Sequence, residues 1–465
     1  MGTLSSPTEA VDLSHHINKR SKARHPSPLK DIIKFMNQDG MISLAGGSGA
    51  GNGELVALAR RLTDRLHAPT YRYDCLLHPG NTNAWAKVVG LLCEEDDNII
   101  VDEYVYPSAQ ALWIPMGIKA VPVDADAEGM QADKLEKMLA TWDDGGRRGK
   151  RPHVVYIVPV GSNPTGLSIS KRRRQALYEV CVKYDMIIVE DDPYYCLQYP
   201  PYNPKAADAT VDSTAAPLPT DEFVASLIPS FLSMDRQGRV IRLESFSKTL
   251  FPALRLGYFI ANPVFIERLL RASEVETQDP SGLSQLFVLQ LLRQWTIDGY
   301  IGWLQTLQSQ YRQRRDWLLG AIAENFELME TDTGSSTSAS KEYRACIRGS
   351  DGDVKPVFSF VDPTAGMFLW TKFDLRAVSR FSELSDKQDI SDPEQTFADE
   401  LWKAWCSELI LVTPGSYYHP WQGPEFTATA ARGAEAATCD FRLSFATPTK
   451  EQIELGQYVG FTLTL

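Results

Sequence analysis

The strongest chemical signal in the sequence is a lysine flanked by hydroxyl residues. Lys248 ends the segment Ser245-Phe246-Ser247-Lys248, which follows a strand-like run at Val240–Leu243, and Arg255 comes seven residues later. A lysine amine can bind an aldehyde cofactor covalently as a Schiff base, while hydroxyls and a guanidinium bind a nearby phosphate. An isolated segment of this kind is more often a surface lysine in a serine-rich turn. The cofactor interpretation therefore depends on complementary residues elsewhere.

Two polar segments upstream have that complementary chemistry, GSNPTG at 161–166 and EDDPYY at 190–195. Between and before them the sequence predicts a buried strand at 154–160, a helix over 171–184 and a second strand at 186–189. Both segments should therefore follow the carboxyl ends of parallel strands. In open α/β sheets, ligands bind at that edge.

Within these segments, three side chains suit an aromatic cofactor ring. Asp191 would normally be structural or a helix cap, but beside a Schiff-base lysine its carboxylate can keep a pyridine nitrogen protonated. Asn163 and Tyr194 could donate hydrogen bonds to the phenolate oxygen of the same ring. The residue types together predict a site for an electron-accepting pyridine aldehyde.

Two further segments suit anionic groups. The backbone N–H groups of 80–82 open a predicted helix, which is a usual site for phosphate, although an ordinary capped turn has the same pattern. In FRLSF, strand alternation places Arg442 and Ser444 on one face and the apolar residues on the other. Arg442 could thus face a cleft, or it could form a salt bridge at a strand edge.

The order of these segments resembles the class I/II, fold-type I pyridoxal-phosphate aminotransferases, most closely the fungal aromatic-amino-acid branch that includes kynurenine/2-aminoadipate aminotransferases. The segments that carry the resemblance are SKARHPSPLKDI, MISLAGG, PGNTNAW, DEYVYPSAQAL, GSNPTG, VEDDPYY, SFSKTLFPALRLGY, GMFLW, LVTPGSYY and FRLSFA. The resemblance implies an α/β fold with a large, doubly wound, mostly parallel sheet domain and a smaller α+β domain. It also implies pyridoxal 5'-phosphate as cofactor and a homodimer. We expect an N-terminal arm and part of the small domain at 1–54, the large domain at 55–310 and the small domain at 311–465.

The resemblance also assigns roles to individual residues. Lys248, Asp191 and Tyr194 would be catalytic, with Lys248 binding the cofactor and then carrying a proton. Asp191 would pair with the pyridinium, Asn163 and Tyr194 would contact the ring oxygen, and Tyr106 would stack on the ring. The phosphate would be bound by Asn81, Thr82, Ser245, Ser247 and Arg255. The substrate would be bound by Arg442, which clamps its α-carboxylate, and by Gly47 and Lys30.

Three functions remain compatible with these residues. The first is transfer of an amino group from an L-amino acid, aromatic or bulky, to a 2-oxo acid by ping-pong chemistry. The second is another reaction of the same cofactor, such as β-elimination or C–S cleavage. The third is a protein that binds the cofactor without catalysis, because the segment from Gly47 to Gly80 is shorter than the family expects. Tyr71 or Tyr73 could replace the tyrosine that the family extends to its partner subunit, but the spacing does not indicate either of them.

Composition narrows the class of protein. The net charge of −12 argues against binding to nucleic acids or acidic membranes. The sequence contains no run of about 18 apolar residues, so it predicts no membrane-spanning helix. The seven scattered cysteines, without a C-x-x-C pair, favour reduced thiols, a cytoplasmic location and no zinc site. We expect His15 and His16 to be a solvated pair, and no metal site.

Overall fold

The computed structural model describes residues 8–26, 52–143, 149–203, 218–331, 340–349 and 352–462. Lys30 and Gly47, two of the predicted substrate residues, lie outside these ranges. None of the helices within them is both long and apolar enough to cross a membrane.

The secondary structure alternates strands and helices in the first two thirds of the chain. The strands are β1 (Asp74–His78), β2 (Asn98–Asp102), β3 (Lys119–Val123), β4 (Ala125–Asp126), β5 (Gly129–Met130), β6 (Val154–Ile157), β7 (Ile187–Asp191), β8 (Val240–Ser245), β9 (Gly257–Ala261), β10 (Glu327–Thr331), β11 (Glu342–Arg348), β12 (Val354–Val361), β13 (Phe368–Asp374), β14 (Thr413–Pro414) and β15 (Thr438–Ser444). The α-helices are α1 (Lys19–Lys22), α2 (Asn52–Leu66), α3 (Asn81–Leu92), α4 (Pro107–Gln110), α5 (Ala132–Ala140), α6 (Lys171–Lys183), α7 (Thr220–Ser226), α8 (Phe231–Met234), α9 (Pro263–Glu276), α10 (Gly282–Asn325), α11 (Ser379–Ser385), α12 (Pro393–Ser407), α13 (Thr429–Arg432) and α14 (Lys450–Thr462). Short 3-10 helices lie at Ser14–His16, Ile114–Met116, Pro252–Leu254, Gly415–Tyr418 and Pro424–Phe426.

The large sheet has seven strands in the order β1-β9-β8-β7-β6-β2-β3. Its strands β3, β2, β6, β7 and β8 run parallel, and β9 is antiparallel to both of its neighbours. Every residue of β6 and β7 is buried, which explains why β6 and the first three residues of β7 are almost entirely apolar. The predicted fold class, a large mostly parallel sheet with a smaller second domain, is confirmed.

The connection from β6 to β7 contains the predicted helix, which ends one residue before the expected end. The hydroxyl of Ser170 accepts a hydrogen bond from the backbone N–H of Arg173 at 3.2 Å, so that α6 begins with a side-chain cap. Because β6 and β7 are parallel, this helix returns the chain to the edge of the sheet at which β6 begins, and both strands end at the opposite edge. The segments that follow β6 and β7 therefore lie side by side.

The smaller domain is built on a six-stranded antiparallel sheet in the order β10-β11-β12-β13-β15-β14. The helix α10 leads into it and breaks at Thr296, where φ is 62°. It contacts both α2 and α14. The expected boundary between residues 310 and 311 falls within the unbroken second part of α10, so this helix belongs to both domains.

The N-terminal segment lies on the large domain rather than over the small one. The side chain of Asn18 donates hydrogen bonds to the carbonyl groups of Gly90 and Cys93, at 3.0 and 2.7 Å. These carbonyls belong to the end of α3, where the helix itself offers no partners. Thr8 also forms an isolated bridge with Tyr71. The described part of the arm, residues 8–26, therefore packs where it satisfies the end of α3.

Candidate active site

One cavity of about 500 Å³ lies at the carboxyl ends of β6, β7 and β8. It is lined by all ten predicted cofactor residues, namely Asn81, Thr82, Tyr106, Asn163, Asp191, Tyr194, Ser245, Ser247, Lys248 and Arg255. Arg442 and Ser444 reach the same cavity from β15 of the small domain. Its volume is in the usual range for small-molecule sites.

Lys248 lies just beyond the end of β8 and is half-buried. Burial lowers the pKa of its amine, and the nearby charges of Arg442 and Arg255 lower it further. Each of these effects disfavours the ammonium form. A larger fraction of Lys248 is thus the neutral, nucleophilic amine than for a lysine in water.

Asp191 ends β7 and is held by two hydrogen bonds. The amide of Asn81 donates to Oδ1 at 2.7 Å, and the hydroxyl of Tyr156 donates to Oδ2 at 2.7 Å. Burial raises the pKa of Asp191, whereas the two hydrogen bonds oppose that shift by favouring the carboxylate. The Asn81 amide also donates to the carbonyl of Leu243 at 3.0 Å. The side chain of Asn81 therefore contacts Asp191, so its predicted part in phosphate binding would fall to its backbone N–H group.

Tyr156 is a residue that sequence reasoning missed. It lies within β6, in a run of residues whose pattern predicts only a buried strand of the hydrophobic core. Its signal is nevertheless present, because a tyrosine in a fully buried strand needs a hydrogen-bonding partner for its hydroxyl. The sequence does not show that this partner is Asp191.

Asp192 has a different environment from its neighbour. Its Oδ2 lies 3.2 Å from the guanidinium of Arg242, which also pairs with Glu190 at 3.0 Å and Glu244 at 2.7 Å. The side chains of Asp192, Arg242 and Glu190 have no exposed surface. Burial raises the pKa of Asp192. The structure thus directs Asp191 to the cavity and Asp192 into a buried ionic network.

The end of the cavity beside α3 suits an anion. Gly80 precedes the helix with a φ of 96°, and no side chain in the described part of the chain caps the first N–H groups of α3. The guanidinium of Arg255 donates to the hydroxyl of Ser247 at 3.0 Å. A Cβ atom at Gly80 would overlap that guanidinium, so glycine is needed for the close approach. Uncapped N–H groups, a hydroxyl and an arginine together form a site suited to phosphate.

Arg442 lies in β15 and reaches across to the large domain. It donates to Asn163 Oδ1 at 2.6 Å and to Thr413 Oγ1 at 3.2 Å. Its guanidinium carbon lies 4.3 Å from the ring centre of Phe368. The buried Nε has no hydrogen-bonding partner among the described residues. Arg442 therefore has a donor available for a carboxylate, and its partners in the described ranges are an amide and a hydroxyl.

The contact with Arg442 also orients Asn163. Because Oδ1 accepts from the guanidinium, the Nδ2 group remains to donate into the cavity. The peptide bond between Asn163 and Pro164 is cis. Gly161, in the same loop, is so close to the backbone of Gly366 that a Cβ atom at either position would overlap the other strand segment. The loop after β6 is thus held tightly against the small domain.

The remaining tyrosines divide into two groups. Tyr194 is buried against Phe368, with ring centres 6.0 Å apart, and burial raises the pKa of its phenol so that it stays a donor. Tyr106 precedes α4 and lines the cavity. Tyr71 is buried and Tyr73 donates to Asp64 at 2.6 Å. Neither of these two lines the cavity, so neither replaces the family's tyrosine within this chain's own site.

The family described as aminotransferase class I and II matches residues 14–456. The chain belongs to this family. An aromatic amino acid aminotransferase of Schizosaccharomyces pombe is 35% identical over 380 residues, which cover 80% of this chain and 72% of that protein. An L-tyrosine:2-oxoglutarate aminotransferase of Serpula lacrymans is 28% identical over 482 residues, covering 88% and 84% of the two chains. The solved structure of the aminotransferase Aro8 from Candida albicans has a TM-score of 0.81, with 28% identity and 98% of each chain covered.

The cofactor of this aminotransferase is pyridoxal 5'-phosphate. The residues present fit it. The uncapped start of α3 and Arg255 suit the phosphate, Asp191 suits the ring nitrogen, and Lys248 suits the aldehyde carbon. When bound, the group supplies a ring that accepts the electron pair left on the substrate α-carbon.

Proposed function

We propose that this pyridoxal-phosphate aminotransferase transfers the amino group of an aromatic L-amino acid to a 2-oxo acid. The observation that carries the proposal is the meeting of Lys248, Asp191 and Arg442 in one cavity. Relatives from two fungi, named for aromatic amino acids and for tyrosine with 2-oxoglutarate, support the substrate class. Phe368 lines the cavity with its ring centre 4.3 Å from the guanidinium carbon of Arg442, which is compatible with a planar side chain.

Arg442, Lys248 and Asp191 would each have a different role in the reaction. Arg442 binds the α-carboxylate, which the amino acid and the oxo acid share, so that both can use the same site in turn. Lys248 would take a proton from the substrate α-carbon and return it to the cofactor, a role that its lowered pKa favours. Asp191 holds a negative charge at the ring nitrogen.

A panel of single half-reactions tests this proposal. The purified enzyme with bound cofactor is mixed with one amino acid at a time, without an oxo acid, and the visible absorption of the cofactor is followed. Aromatic amino acids should convert the cofactor to its amine form fastest, and 2-oxoglutarate should then restore the original spectrum.

The Lys248→Ala variant is the control for this assay. It should lack the visible absorption band of the lysine-bound cofactor. It should also react about 100- to 10,000-fold more slowly, since the residue that carries the proton is gone. Release of ammonia and a 2-oxo acid instead of a stable amine form would indicate β-elimination. A spectrum that no amino acid changes would indicate a binding protein without catalysis. Either result would overturn the proposal.

We also propose that the enzyme is a homodimer. Phe251, Leu283, Leu286 and Phe287 are large apolar side chains that are about half exposed or more, and the rings of Phe251 and Phe287 lie 6.0 Å apart. Clustered apolar surface of this kind marks an interaction site. Phe251 precedes Pro252, which lines the cofactor cavity. A second copy on this surface would therefore adjoin the site.

We propose a cytoplasmic location for the enzyme. All seven cysteines are described as free thiols, and six of them are buried. Free cysteines in this number are typical of a reducing compartment. The net charge of −12 gives no support for nucleic acid as a partner.

A further inference from the structure

A compact group of metal-ligating side chains lies at the amino end of β7, at the sheet edge opposite the cofactor cavity. His15 Nε2 is 2.8 Å from Asp185 Oδ2, and His16 Nε2 is 3.2 Å from Asp185 Oδ1. One ligand atom from each residue lies within 4.8 Å of the other two. The expectation of a solvated histidine pair is wrong for His16, whose side chain is only 4% exposed.

The local structure holds this group in place. His15 and His16 belong to the 3-10 helix Ser14–His16, and the ring of His16 stacks on that of His153 with centres 5.7 Å apart. Asp185 has a φ of 53° in the turn between α6 and β7. The guanidinium of Arg239 donates to Asp185 Oδ1 at 2.7 Å. Residues far apart in sequence are therefore fixed around one small volume.

The same group is open to solvent on one side. The side chains of His15 and Asp185 are 57% and 52% exposed, so an ion could enter and keep water molecules as further ligands. In a tetrahedral zinc site the ligand atoms are about 3.4 Å apart, as bond lengths of about 2.0–2.1 Å require. The His15–Asp185 pair, at 2.8 Å, would need to separate by about 0.6 Å, and the His16–Asp185 pair, at 3.2 Å, by about 0.2 Å.

We propose that His15, His16 and Asp185 bind a divalent transition-metal ion. Two imidazoles and one carboxylate are ligands that suit Zn²⁺, Ni²⁺ and Cu²⁺, whereas Mg²⁺ prefers oxygen alone. Arg239 would act as the outer partner that orients the carboxylate, as hydrogen-bonded neighbours do at other metal sites. Its positive charge also opposes the ion, so we expect a site of moderate affinity with Cu²⁺ bound more tightly than Zn²⁺.

The proposed ion would link the N-terminal arm to the large domain. His15 and His16 lie in the arm, and Asp185 lies in the turn before β7. The cofactor cavity is at the other end of β7, so the ion should stabilise the fold without changing turnover. This site is independent of the proposed substrate.

Calorimetric titration of the cofactor-loaded enzyme with Zn²⁺ tests the proposal. A Cys406→Ser background removes the one thiol that is not buried. We expect one ion per chain and a rise in Tm that grows with Zn²⁺ concentration, and Mg²⁺ should cause neither. His15→Gln and Asp185→Asn should abolish both effects. His25→Gln, a change at an exposed histidine of the same arm, should retain them.

Electron paramagnetic resonance of bound Cu²⁺ gives a second readout. The enzyme should show hyperfine coupling to two nitrogens, and the His15→Gln variant should lose this two-nitrogen signal. Because His15 is exposed, its replacement leaves the fold intact. Absence of Zn²⁺ binding, or a copper spectrum that His15→Gln does not alter, would overturn the proposal.

Discussion

Asp191 and Asp192 show how neighbouring identical side chains can have different tasks. Asp191 meets only neutral hydrogen-bond donors, from Asn81 and Tyr156, and faces the cavity. Asp192 meets the charge of Arg242 and is enclosed. An isolated carboxylate with raised pKa can interact with a cofactor cation, whereas a carboxylate neutralised by arginine contributes mainly to the fold.

Replacing each aspartate by asparagine should separate these tasks. Asp191→Asn removes a charge-assisted hydrogen bond to the cofactor, so we expect the dissociation constant of pyridoxal phosphate to rise about 10- to 100-fold. Asp192→Asn should instead lower the free energy of unfolding by about 1–3 kcal/mol, since Arg242 keeps Glu190 and Glu244. Cofactor titration and denaturant unfolding measure the two effects. Equal loss of cofactor affinity in both variants would contradict this assignment.

The hydroxyl of Tyr156 should set the acid limit of activity. Its hydrogen bond lowers the pKa of Asp191, so Tyr156→Phe should raise that pKa further above its usual range. Because Asp191 must be ionised, activity should then be lost at a higher pH as the pH falls. The measurement is kcat/KM against pH. Tyr73→Phe, which removes a hydroxyl outside the cavity, is the control and should leave the profile unchanged.

At the scale of elements, the start of α3 is where local structure and chemistry coincide. Gly80 has a positive φ directly before α3, and the guanidinium of Arg255 lies against it. A glycine is thus required by the backbone angle and by the adjoining guanidinium together. A second glycine in the same helix, Gly90, has open space around it.

Gly80→Ala should therefore weaken cofactor binding. The added Cβ would displace the guanidinium of Arg255, and an alanine at a φ of 96° and a ψ of 156° costs about 1–3 kcal/mol by itself. We expect at least about a tenfold rise in the dissociation constant of pyridoxal phosphate. Gly90→Ala, by contrast, should leave that constant unchanged and raise stability by about 0.5–1 kcal/mol. Tm and fluorescence titration compare the pair, and equal behaviour would refute the role of Gly80.

At the scale of the whole molecule, the site exists only where two sheets meet. Arg442 of the antiparallel sheet bonds to Asn163, which follows a strand of the parallel sheet. The close approach of Gly161 and Gly366 holds the same junction. A change of domain orientation would thus move the residue that binds the substrate carboxylate relative to the residues that bind the cofactor.

The proposed dimer predicts that a charged residue in the exposed apolar cluster will separate the subunits. Phe287→Glu places a charge in the exposed apolar cluster and should shift the enzyme to monomers, as measured by sedimentation velocity. Cofactor affinity should fall as well, because Phe251 and Pro252 lie at the same surface. Leu455→Glu introduces the same charge at an exposed leucine of α14 and should do neither. A Phe287→Glu enzyme that remained dimeric would exclude this surface as the interface.

The sequence by itself determined the chemistry and the strand edge at which it lies. Short-range signals are enough for that, because residues that follow parallel buried strands share one edge wherever the helices lie. Lys248, Asp191 and Asn163 are identified in this way. The helix over 171–184 and the face that Arg442 shares with Ser444 also follow from local spacing.

Only the tertiary structure decided which atoms meet. Asp191 accepts hydrogen bonds from Asn81 and Tyr156, and Arg442 donates one to Asn163. The residues in these pairs lie 35 to 279 positions apart in the sequence. The contacts of His15 and His16 with Asp185 likewise join residues that are far apart in the sequence. Such pairings depend on how the two sheets and the arm pack, and no local pattern of the chain encodes that packing.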